Sequence, residues 1–352
     1  MPDPSVTIDV AGRDVRITNP DKVFFPALGV TKLELVQYWL DVADGALTGS
    51  RDRPTLLKRH PDGVDGFFFY QKRVPTSRPD WIETITVQFP SGRSAEFLAM
   101  RDAAHLAWVI NLGCLELHPW NVRTNDTEHP DEIRFDLDPT PEFTWADVRT
   151  TALLVKEALD DFGLKAFPKT SGKRGMHILM RIEPLWGFGD IRRAALALGR
   201  EVEKRAPGLA TTSWWKEERT GVFVDYNQNA RDRTLASAYS VRPTPDGRVS
   251  TPLGWDEVAD VEPGDFTILT LPKRFATIGD PGSSIDDEAY SIEPLLELAD
   301  KQERAGMPEA PWPPHFPKAD REPTRVQPSR ARKAGPPARK PGTQKRKTGT
   351  TR

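Results

Sequence analysis

The segment "DEIRFDLDPTP", residues 131–141, constrains this chain more than any other part of it. It alternates apolar and charged residues with the period of a β-strand, so Asp136 and Asp138 share one face of that strand. Pro139 cannot donate a hydrogen bond to a sheet, which places the pair at the end of the strand. Because two adjacent carboxylates repel each other unless a cation lies nearby, the segment predicts a strand that ends at a metal site.

The rest of the chain mixes helical and strand patterns without a regular alternation between them. Helical spacing or capping signals mark "LELVQYWLDVA" behind a Thr31–Glu34 capping box, "AAHLAWVINLG" behind Asp102, "TWADVRTTALLVKEALDDFG" and "GDIRRAALALGREVEKRAPG". Strand-like runs lie between them: "GFFFYQKR", "ETITVQFP", "SAEFLAM", "EIRFDLD", "MHILMRI", "GVFVDYNQ" and "SAYSVRP". The turn signals "PSGRS" and "TPDGR" favour antiparallel hairpins. We therefore predict an α/β (α+β) fold in which mixed or antiparallel sheets are flanked by helices.

A second apolar run ends in an acid, and a basic loop lies between the two runs. "GVFVDYNQN" places Asp225 at such an end, where a lone aspartate often only caps its own turn. Beside the first two acids, Asp225 predicts three carboxylates around one or two divalent ions, and oxygen ligands favour Mg²⁺ or Mn²⁺. "KTSGKRGMHILM" offers backbone amides and cations to phosphate oxygens and leads into a strand at His177, although it lacks the Walker order.

Other basic residues are compatible with phosphate binding, and each alone is a weak signal. His118 follows an apolar strand in "CLELHPW", and Arg231, Arg233 and Arg242 lie further along the chain. Residues 56–73, "LLKRHPDGVDGFFFYQKR", combine cations with an aromatic run. Such a combination is typical of single-stranded nucleic-acid binding, whereas an aromatic run is more often part of a hydrophobic core.

The net charge of −2 hides an uneven distribution along the chain. Residues 318–352 contain 12 Lys/Arg and 2 Asp/Glu, whereas residues 1–317 contain 37 Lys/Arg and 49 Asp/Glu. Few apolar residues and many prolines and glycines predict that 318–352 is a disordered basic tail, which either binds nucleic acid or only aids solubility. We predict a proline-rich linker over residues 306–317 and one folded domain over residues 1–305.

The composition excludes several classes of protein. A single cysteine, Cys114, excludes an internal disulfide and a multi-cysteine zinc site. Apolar runs are too short to span a membrane, and the first residues lack the pattern of a signal peptide. We therefore expect a soluble cytoplasmic protein.

Taken in order, these segments resemble one known family. Over roughly residues 14–300 the chain is similar to the polymerase domain of the bacterial non-homologous end-joining ligase D, within the archaeo-eukaryotic primase superfamily. The resemblance is carried by "TNPDKVFFPALGVTK", "LLKRHPDGVDGFFFYQK", "LELHPW", "RFDLDP", "KTSGKRGMHI", "VFVDYNQN" and "ASAYSVRP". It implies a primase-like catalytic fold with an N-terminal extension, and a DNA-directed nucleotidyltransferase that uses two divalent ions, Mn²⁺ or Mg²⁺.

The resemblance also implies roles for individual residues. Metal-binding and catalytic roles fall on Asp136, Asp138 and Asp225. Contacts to the nucleoside triphosphate, NTP or dNTP, fall on His118, Ser171, Lys173, Arg174, His177, Gln228, Arg233 and Arg242. A pocket for a downstream DNA 5′-phosphate, within an N-terminal part of about residues 14–60, falls on Asn19, Lys22 and Lys32. Template binding falls on Lys58, Arg59, Phe69 and Tyr70, and Tyr70 stands where the family commonly has phenylalanine.

The implied activity is the insertion of nucleotides, preferably ribonucleotides, into gapped or broken DNA during short-gap repair or end joining. The ligase motif Lys-x-Asp-Gly does not occur in the sequence. We therefore expect a stand-alone, nucleoid-associated polymerase whose partners are DNA, a separate DNA ligase and Ku. The residues themselves leave three alternatives open: an Asp-x-Asp nucleotide-sugar transferase, a non-catalytic DNA end-binding module and a metal-dependent nuclease.

Overall fold

The computed structural model describes residues 4–89 and 92–312. The strands are β1 Ser5–Val10, β2 Arg13–Thr18, β3 Val23–Phe25, β4 Val30–Thr31, β5 Pro54–Arg59, β6 Phe69–Gln71, β7 Thr84–Gln88, β8 Ser94–Ala99, β9 Cys114–Pro119, β10 Glu132–Pro139, β11 Phe167–Thr170, β12 Met176–Arg181, β13 Ala210–Thr211 and β14 Val222–Asp225. The helices are α1 Lys32–Asp41, α2 Ala43–Thr48, α3 Ala103–Asn111, α4 Trp145–Asp160, α5 Phe188–Arg205, α6 Leu271–Ile278 and α7 Glu293–Arg304. The predicted tail, residues 318–352, and the predicted linker beyond residue 312 lie outside the described residues.

A five-stranded sheet in the order β11-β12-β10-β14-β13 forms the centre of the fold. Its neighbours pair antiparallel except β13 and β14, which are parallel. In the register, Asp136 of β10 lies opposite both His177 of β12 and Asp225 of β14. Opposed residues project from the same face of a sheet, so the alternation predicted for this strand brings all three side chains to one side.

Helices α4 and α5 cover the other face of this sheet. That face carries apolar residues of β10 and β14, including Leu137 and Val224, which are fully buried. Helix α5 comes so close that a Cβ at Gly199 would lie 2.9 Å from Thr212 Cγ2 and 3.4 Å from Val224 Cγ1. The sheet therefore has one apolar face closed by helices and one polar face that remains available for chemistry.

A second sheet has the order β6-β5-β8-β7, and β9 pairs with β5 alongside this path. Strand β9 pairs antiparallel with β5 and sets Glu116 opposite Lys58 and His118 opposite Leu56. Strand β6 pairs with β5 on the same stretch and sets Tyr70 opposite Lys58. The basic and aromatic residues predicted for nucleic-acid binding are thus carried on adjacent strands.

The predicted helix caps in the N-terminal half are confirmed. Thr31 and Glu34 form a complete capping box at the start of α1, in which each residue bonds the backbone of the other. Asp102 caps α3 by accepting a hydrogen bond from the backbone N–H of His105. These caps fix where the two helices begin, one before β5 and the other between β8 and β9.

Residues 309–312, here called the C-terminal strap, pack on helix α5 around a buried arginine. The guanidinium of Arg192 is fully buried. It donates hydrogen bonds to the carbonyl oxygens of Ala310 and Pro311, the shorter at 2.6 Å, and to the Glu309 carboxylate at 3.1 Å. A charge removed from water in this way is stable only because acceptors surround it.

The same arginine connects the strap to the turn that follows β14. Its Nε donates to Asn227 Oδ1 at 3.1 Å, and its guanidinium stacks between the rings of Tyr226 and Trp312 at 5.1 and 4.6 Å from their centroids. Cation–π contacts with desolvated cations are favourable by about 2 kcal/mol each. The strap is therefore bound to the element that carries Asp225.

Two strand predictions are wrong in extent. "SAYSVRP" forms no strand, because Tyr239 adopts a left-handed backbone with φ of 65°, and only an isolated bridge pairs Val241 with Val249. "GFFFYQKR" contributes just Phe69–Gln71, since Phe67 and Phe68 project into solvent rather than into a core. Both segments nevertheless border the polar face of the central sheet or the strands beside it.

Candidate active site

Three carboxyl groups meet on the polar face of the central sheet. Asp136 and Asp138 lie two residues apart on β10, and Asp225 ends the neighbouring strand. Burial raises the pKa of Asp136 to about 6, and the charge of Asp136 followed by burial raises the pKa of Asp138 to about 7. Burial and the charge of Asp136 likewise raise the pKa of Asp225. The cluster therefore concentrates negative charge that an added cation would relieve.

The donor set of this cluster suits a hard divalent ion. Carboxylate oxygens are the preferred ligands of Mg²⁺ and Mn²⁺. Asp225 accepts a hydrogen bond from the Asn227 backbone at 2.9 Å and one from Gln228 Nε2 at 3.1 Å, which leaves each of its oxygens a further lone pair for a metal ion. Among residues 4–89 and 92–312, no three acidic, histidine or cysteine side chains already converge as ligands of one ion. Binding would therefore require the Asp225 carboxylate to turn towards the other two acids.

A tight basic loop, residues 171–175, closes the next part of the site. Ser171 Oγ accepts hydrogen bonds from the backbone N–H groups of Lys173 and Gly175 at 3.2 and 3.1 Å. Gly172 has φ of 72°, and a Cβ there would lie 2.5 Å from Arg242 Cγ. A Cβ at Gly175 would lie 2.3 Å from the carbonyl oxygen of residue 137. Both glycines are thus required for the loop to pack against β10 and against the arginine beside it.

A buried carboxylate that sequence analysis missed organises the opposite side. Glu116 is fully buried and contacts Lys58 Nζ at 2.6 Å, Arg242 Nη1 at 2.6 Å and His118 Nε2 at 3.2 Å. These partners hold the pKa of Glu116 well below its usual range, so it is ionised. The alternation in "LELHPW" does place Glu116 and His118 on one face, but a single strand cannot show which cations will surround them.

A cleft of about 720 Å³ lies among these groups. Of the residues predicted as sites, the cleft is lined by His118, Asp136, Asp138, Ser171, Lys173, Arg174, His177, Gln228 and Arg242. Two further cations on its wall were not predicted: Lys216 and Arg219, the latter stacked over Phe223 at 3.5 Å. Arg233 and Asp225 are not among the lining residues, and Arg231 pairs with Glu128 instead.

The aromatic residues predicted to bind template do not share one face. Along β6 the rings alternate, so Tyr70 and Phe68 lie near Lys58, at 5.9 and 4.9 Å from its Nζ. Phe69 turns the other way and stacks with the guanidinium of Arg59 at 5.2 Å. Phe68 and Tyr70 are 48% and 53% exposed, respectively. The exposed pair beside the cleft is therefore Phe68 with Tyr70, because neighbouring residues of a strand point to opposite sides.

The predicted 5′-phosphate residues are close in backbone but not in side-chain direction. The N–H groups of Lys22 and Lys32 bond the carbonyls of Asn19 and Lys22, respectively. Lys22 Nζ contacts Asp62 at 2.9 Å, whereas Lys32 is buried and donates to the Thr18 carbonyl at 2.6 Å. The Lys32 ammonium would have to leave its partners, the Thr18 and Asn111 carbonyls, to bind a phosphate.

Comparison with known proteins identifies the family. Residues 31–282 match the family model described as "LigD, primase-polymerase domain". The chain belongs to the LigD primase-polymerase family. Proteins of this family are nucleotidyltransferases, so the predicted enzyme class is confirmed, as are the predicted resemblance and fold class.

Individual relatives agree with this membership. The chain is 32% identical over 308 residues to the multifunctional non-homologous end joining protein LigD of Mycolicibacterium smegmatis, covering 86% of this chain and 40% of that protein. Against the LigD of Pseudomonas aeruginosa it is 32% identical over 292 residues, covering 82% and 33%. The chain thus spans well under half the length of these relatives.

A solved structure supports the same fold. The polymerase domain of Mycobacterium tuberculosis ligase D, determined in complex with DNA, superposes with a TM-score of 0.73 at 31% identity. The match covers 78% of this chain and 99% of that domain. No helix among the described residues is both long and apolar enough to cross a membrane.

Proposed function

We propose that this protein is a DNA-directed primase-polymerase that inserts nucleotides into gapped or broken DNA during short-gap repair or end joining. The observation that carries this proposal is the cleft itself. One wall holds an acid pair with raised pKa values, and the other holds a loop and strand rich in cations. Metal ions would neutralise the acidic wall, and the phosphates of an anionic substrate would neutralise the basic wall.

Asp136 and Asp138 would hold two divalent ions, Mn²⁺ or Mg²⁺, and Asp225 would complete the site of the ion beside the primer terminus. When bound, such ions stabilise both the attacking and the leaving oxygens of an in-line phosphoryl transfer. The protein supplies the anion side of the cleft. Ser171, His177, His118 and Arg242 would bind the triphosphate and orient its leaving pyrophosphate.

The remaining predicted residues would bind the other parts of the substrate. Lys173, Arg174, Gln228 and Arg233 would bind the nucleotide, although Arg233 would have to enter the cleft to do so. Lys58 and Arg59, with Tyr70 and Phe69, would bind the template strand, and the exposed position of Phe68 supports adding it to that surface. Asn19, Lys22 and Lys32 would bind a downstream 5′-phosphate.

The wider assignments are also proposals. We infer a catalytic domain over residues 1–305 with its 5′-phosphate-binding part at about 14–60, a linker over 306–317 and a basic tail over 318–352. The name of the relatives supports a role in end joining. We propose the nucleoid as the location, and Ku and a separate DNA ligase as partners, from the family resemblance alone. A preference for ribonucleotides follows from the family resemblance.

Primer extension on a gapped duplex tests the activity. We expect the wild-type protein with Mn²⁺ to extend the primer, faster with NTP than with dNTP. Asp138→Asn should slow extension by about a thousandfold, because metal ions supply several kcal/mol of charge stabilisation. Asp126→Asn, which changes an acid that caps a turn outside the cleft through Glu128 and His129, should extend normally.

Other products on the same gel would contradict the proposal. A primer shortened in a metal-dependent manner would indicate a nuclease. DNA binding with neither extension nor shortening would indicate an end-binding module. Equal extension by wild type and Asp138→Asn would show that the protein is a polymerase but that Asp138 is not a required metal ligand.

A further inference from the structure

A lysine that is not among the proposed substrate-binding residues lies directly behind His177. Lys169 is on β11, opposite His177 in the register, and only 3% of it is exposed. Its ammonium contacts His177 Nδ1 at 2.7 Å, Ser250 Oγ at 2.6 Å and the Ala236 carbonyl oxygen at 2.8 Å. A buried lysine with three short contacts to neutral groups needs an explanation, because lysine is rarely buried without a carboxylate partner.

Counting donors and acceptors around this ammonium assigns its three hydrogens. The Ser250 hydroxyl donates its own hydrogen to the Thr170 carbonyl at 2.8 Å, so towards Lys169 its oxygen accepts. The Ala236 carbonyl can only accept. Burial lowers the pKa of Lys169, whereas the nearby carboxylate of Asp136 favours its charged form. The charged amine has a third N–H, and the contact that remains for it is His177 Nδ1, which is then the unprotonated nitrogen of the ring.

The other side of the ring favours the same tautomer. His177 Nε2 lies 3.3 Å from Asp136 Oδ1, an oxygen that accepts hydrogen bonds. A contact of this length with an ionised carboxylate requires a ring proton between the two atoms. With the proton on Nδ1 instead, a lone pair of His177 Nε2 would face a lone pair of Asp136 Oδ1 across this gap. The proton is therefore on Nε2, the nitrogen that faces the acids and the cleft.

We propose that Lys169 is a positioning residue that holds His177 in its Nε2–H tautomer, so that the ring presents a hydrogen-bond donor to an anionic oxygen in the cleft. This inference rests on the proposed function, in which that oxygen belongs to the triphosphate. A neutral imidazole in the other tautomer would direct a lone pair at the phosphate and repel it. Through Ala236 and Ser250, the same lysine also ties the ring to the segments on either side of Arg242.

A purely structural role for this lysine makes a different prediction. A buried cation that only fills space can be replaced by an apolar side chain of similar length with little loss of stability, and often with a gain. Such a replacement would leave the His177 proton where it is, since Asp136 alone would hold it. The position of the proton in a Lys169 variant therefore separates positioning from packing.

The decisive measurement is the tautomer of His177 in the metal-free protein. Long-range ¹⁵N–¹H correlation spectra of histidine-labelled protein report which ring nitrogen is protonated, and His177→Gln identifies the signal among the six histidines. We expect Nε2–H in the wild type and a mixture of both tautomers in Lys169→Met. Lys165→Met, which removes a lysine from the same region outside the cleft, should match the wild type.

Nucleotide binding supplies a second readout. In Lys169→Met we expect the KM for the incoming nucleotide to rise about tenfold with a smaller change in kcat, since one charge-assisted hydrogen bond to phosphate is weakened. Affinity for gapped DNA without nucleotide should not change. Ser250→Ala, which removes one acceptor but keeps the Lys169–His177 contact, should retain the wild-type tautomer.

Two results would overturn the proposal. One is a wild-type His177 ring that is protonated on Nδ1. This measurement needs no variant, so it decides the question even if Lys169→Met fails to fold. The other is a folded Lys169→Met that keeps both the Nε2–H tautomer and the wild-type KM. Because the spectra are recorded without metal or nucleotide, a protein that lacks polymerase activity would still answer the tautomer question.

Discussion

The acid cluster makes an unusual prediction: one substitution should abolish activity and at the same time stabilise the metal-free protein. The substitution is Asp136→Asn, which removes the charge and keeps an oxygen that can accept a hydrogen bond from His177. Burial raises the pKa of Asp136 from 3.8 to about 6. At about 1.4 kcal/mol per pKa unit, keeping this group ionised costs the folded state roughly 3 kcal/mol.

The sign of this effect fixes its pH dependence. The folded protein binds the Asp136 proton more tightly than the unfolded chain, so stability is lost as pH rises. The cost is absent below about pH 4, where the carboxyl is protonated in both states, and complete above about pH 7. Asp136→Asn should therefore be more stable than wild type at pH 8 by about 2–3 kcal/mol, and the gain should vanish towards pH 4.

The assay is denaturant unfolding of both proteins in EDTA at pH 8 and pH 5, with thermal unfolding as a second probe. For a chain of this size we expect a rise of about 5 °C in Tm at pH 8. Added Mn²⁺ should stabilise the wild type and reverse the order, because an ion that binds only the folded state adds stability and the variant lacks a ligand. Asp126→Asn serves as control, since backbone hydrogen bonds lower the pKa of Asp126 and its loss should not stabilise.

Ionised Asp136 does not destabilise the folded protein if Asp136→Asn is no more stable than wild type at pH 8 in EDTA. The same conclusion holds if the increase in stability is equal at pH 8 and pH 5, because the effect would then come from packing rather than from charge. Loss of primer extension alone would not distinguish these cases. The pH dependence of stability does, and it requires no active enzyme.

Three other predictions concern the ends of the chain. A chain that stops at Gly306 should unfold about 5 °C or more below one that stops at Trp312, since breaking a buried ion pair costs about 3–5 kcal/mol; equal melting curves would show that the strap contributes nothing. Removing the chain from Lys318 onward should weaken DNA binding at low salt and matter less as salt rises, because binding to phosphates releases counterions; binding titrations at several salt concentrations test this. Extension should be faster on gaps with a downstream 5′-phosphate than with a 5′-hydroxyl, and Lys22→Ala/Lys32→Ala should lose that preference; a preference kept by the double variant would place the phosphate elsewhere.

Much of the central sheet could be predicted because its signals are local. Strand β10 shows apolar alternation, β12 and β14 are mostly apolar runs, and Asp138 and Asp225 lie at or next to the ends of β10 and β14. Pro139 fixes the end of its strand without reference to the rest of the fold. Three strands of the central sheet and its acids therefore follow from the sequence, whereas the short strands β11 and β13 were not predicted.

The residues that were missed depend on partners distant in the chain. Glu116 and Lys169 are charged residues inside strands, and alternation alone cannot show that Glu116 meets Arg242 or that Lys169 meets the carbonyl of Ala236. Tyr239 adopts its left-handed backbone in a segment rich in strand-forming residues, where its hydroxyl bonds Asp280. In each case a tertiary contact overrides the local pattern.

The C-terminal strap has a consequence for how this sequence can diverge. Arg192 lies inside the region that matches the family, whereas Ala310 and Pro311, whose carbonyls it bonds, lie beyond it. A descendant that exchanges the segment after α7 for another must either supply new carbonyls at that place or replace the arginine by an apolar residue. Position 192 and the segment that follows α7 should therefore be inherited as a unit, and an exchanged segment should be accompanied by a compensating change in α5.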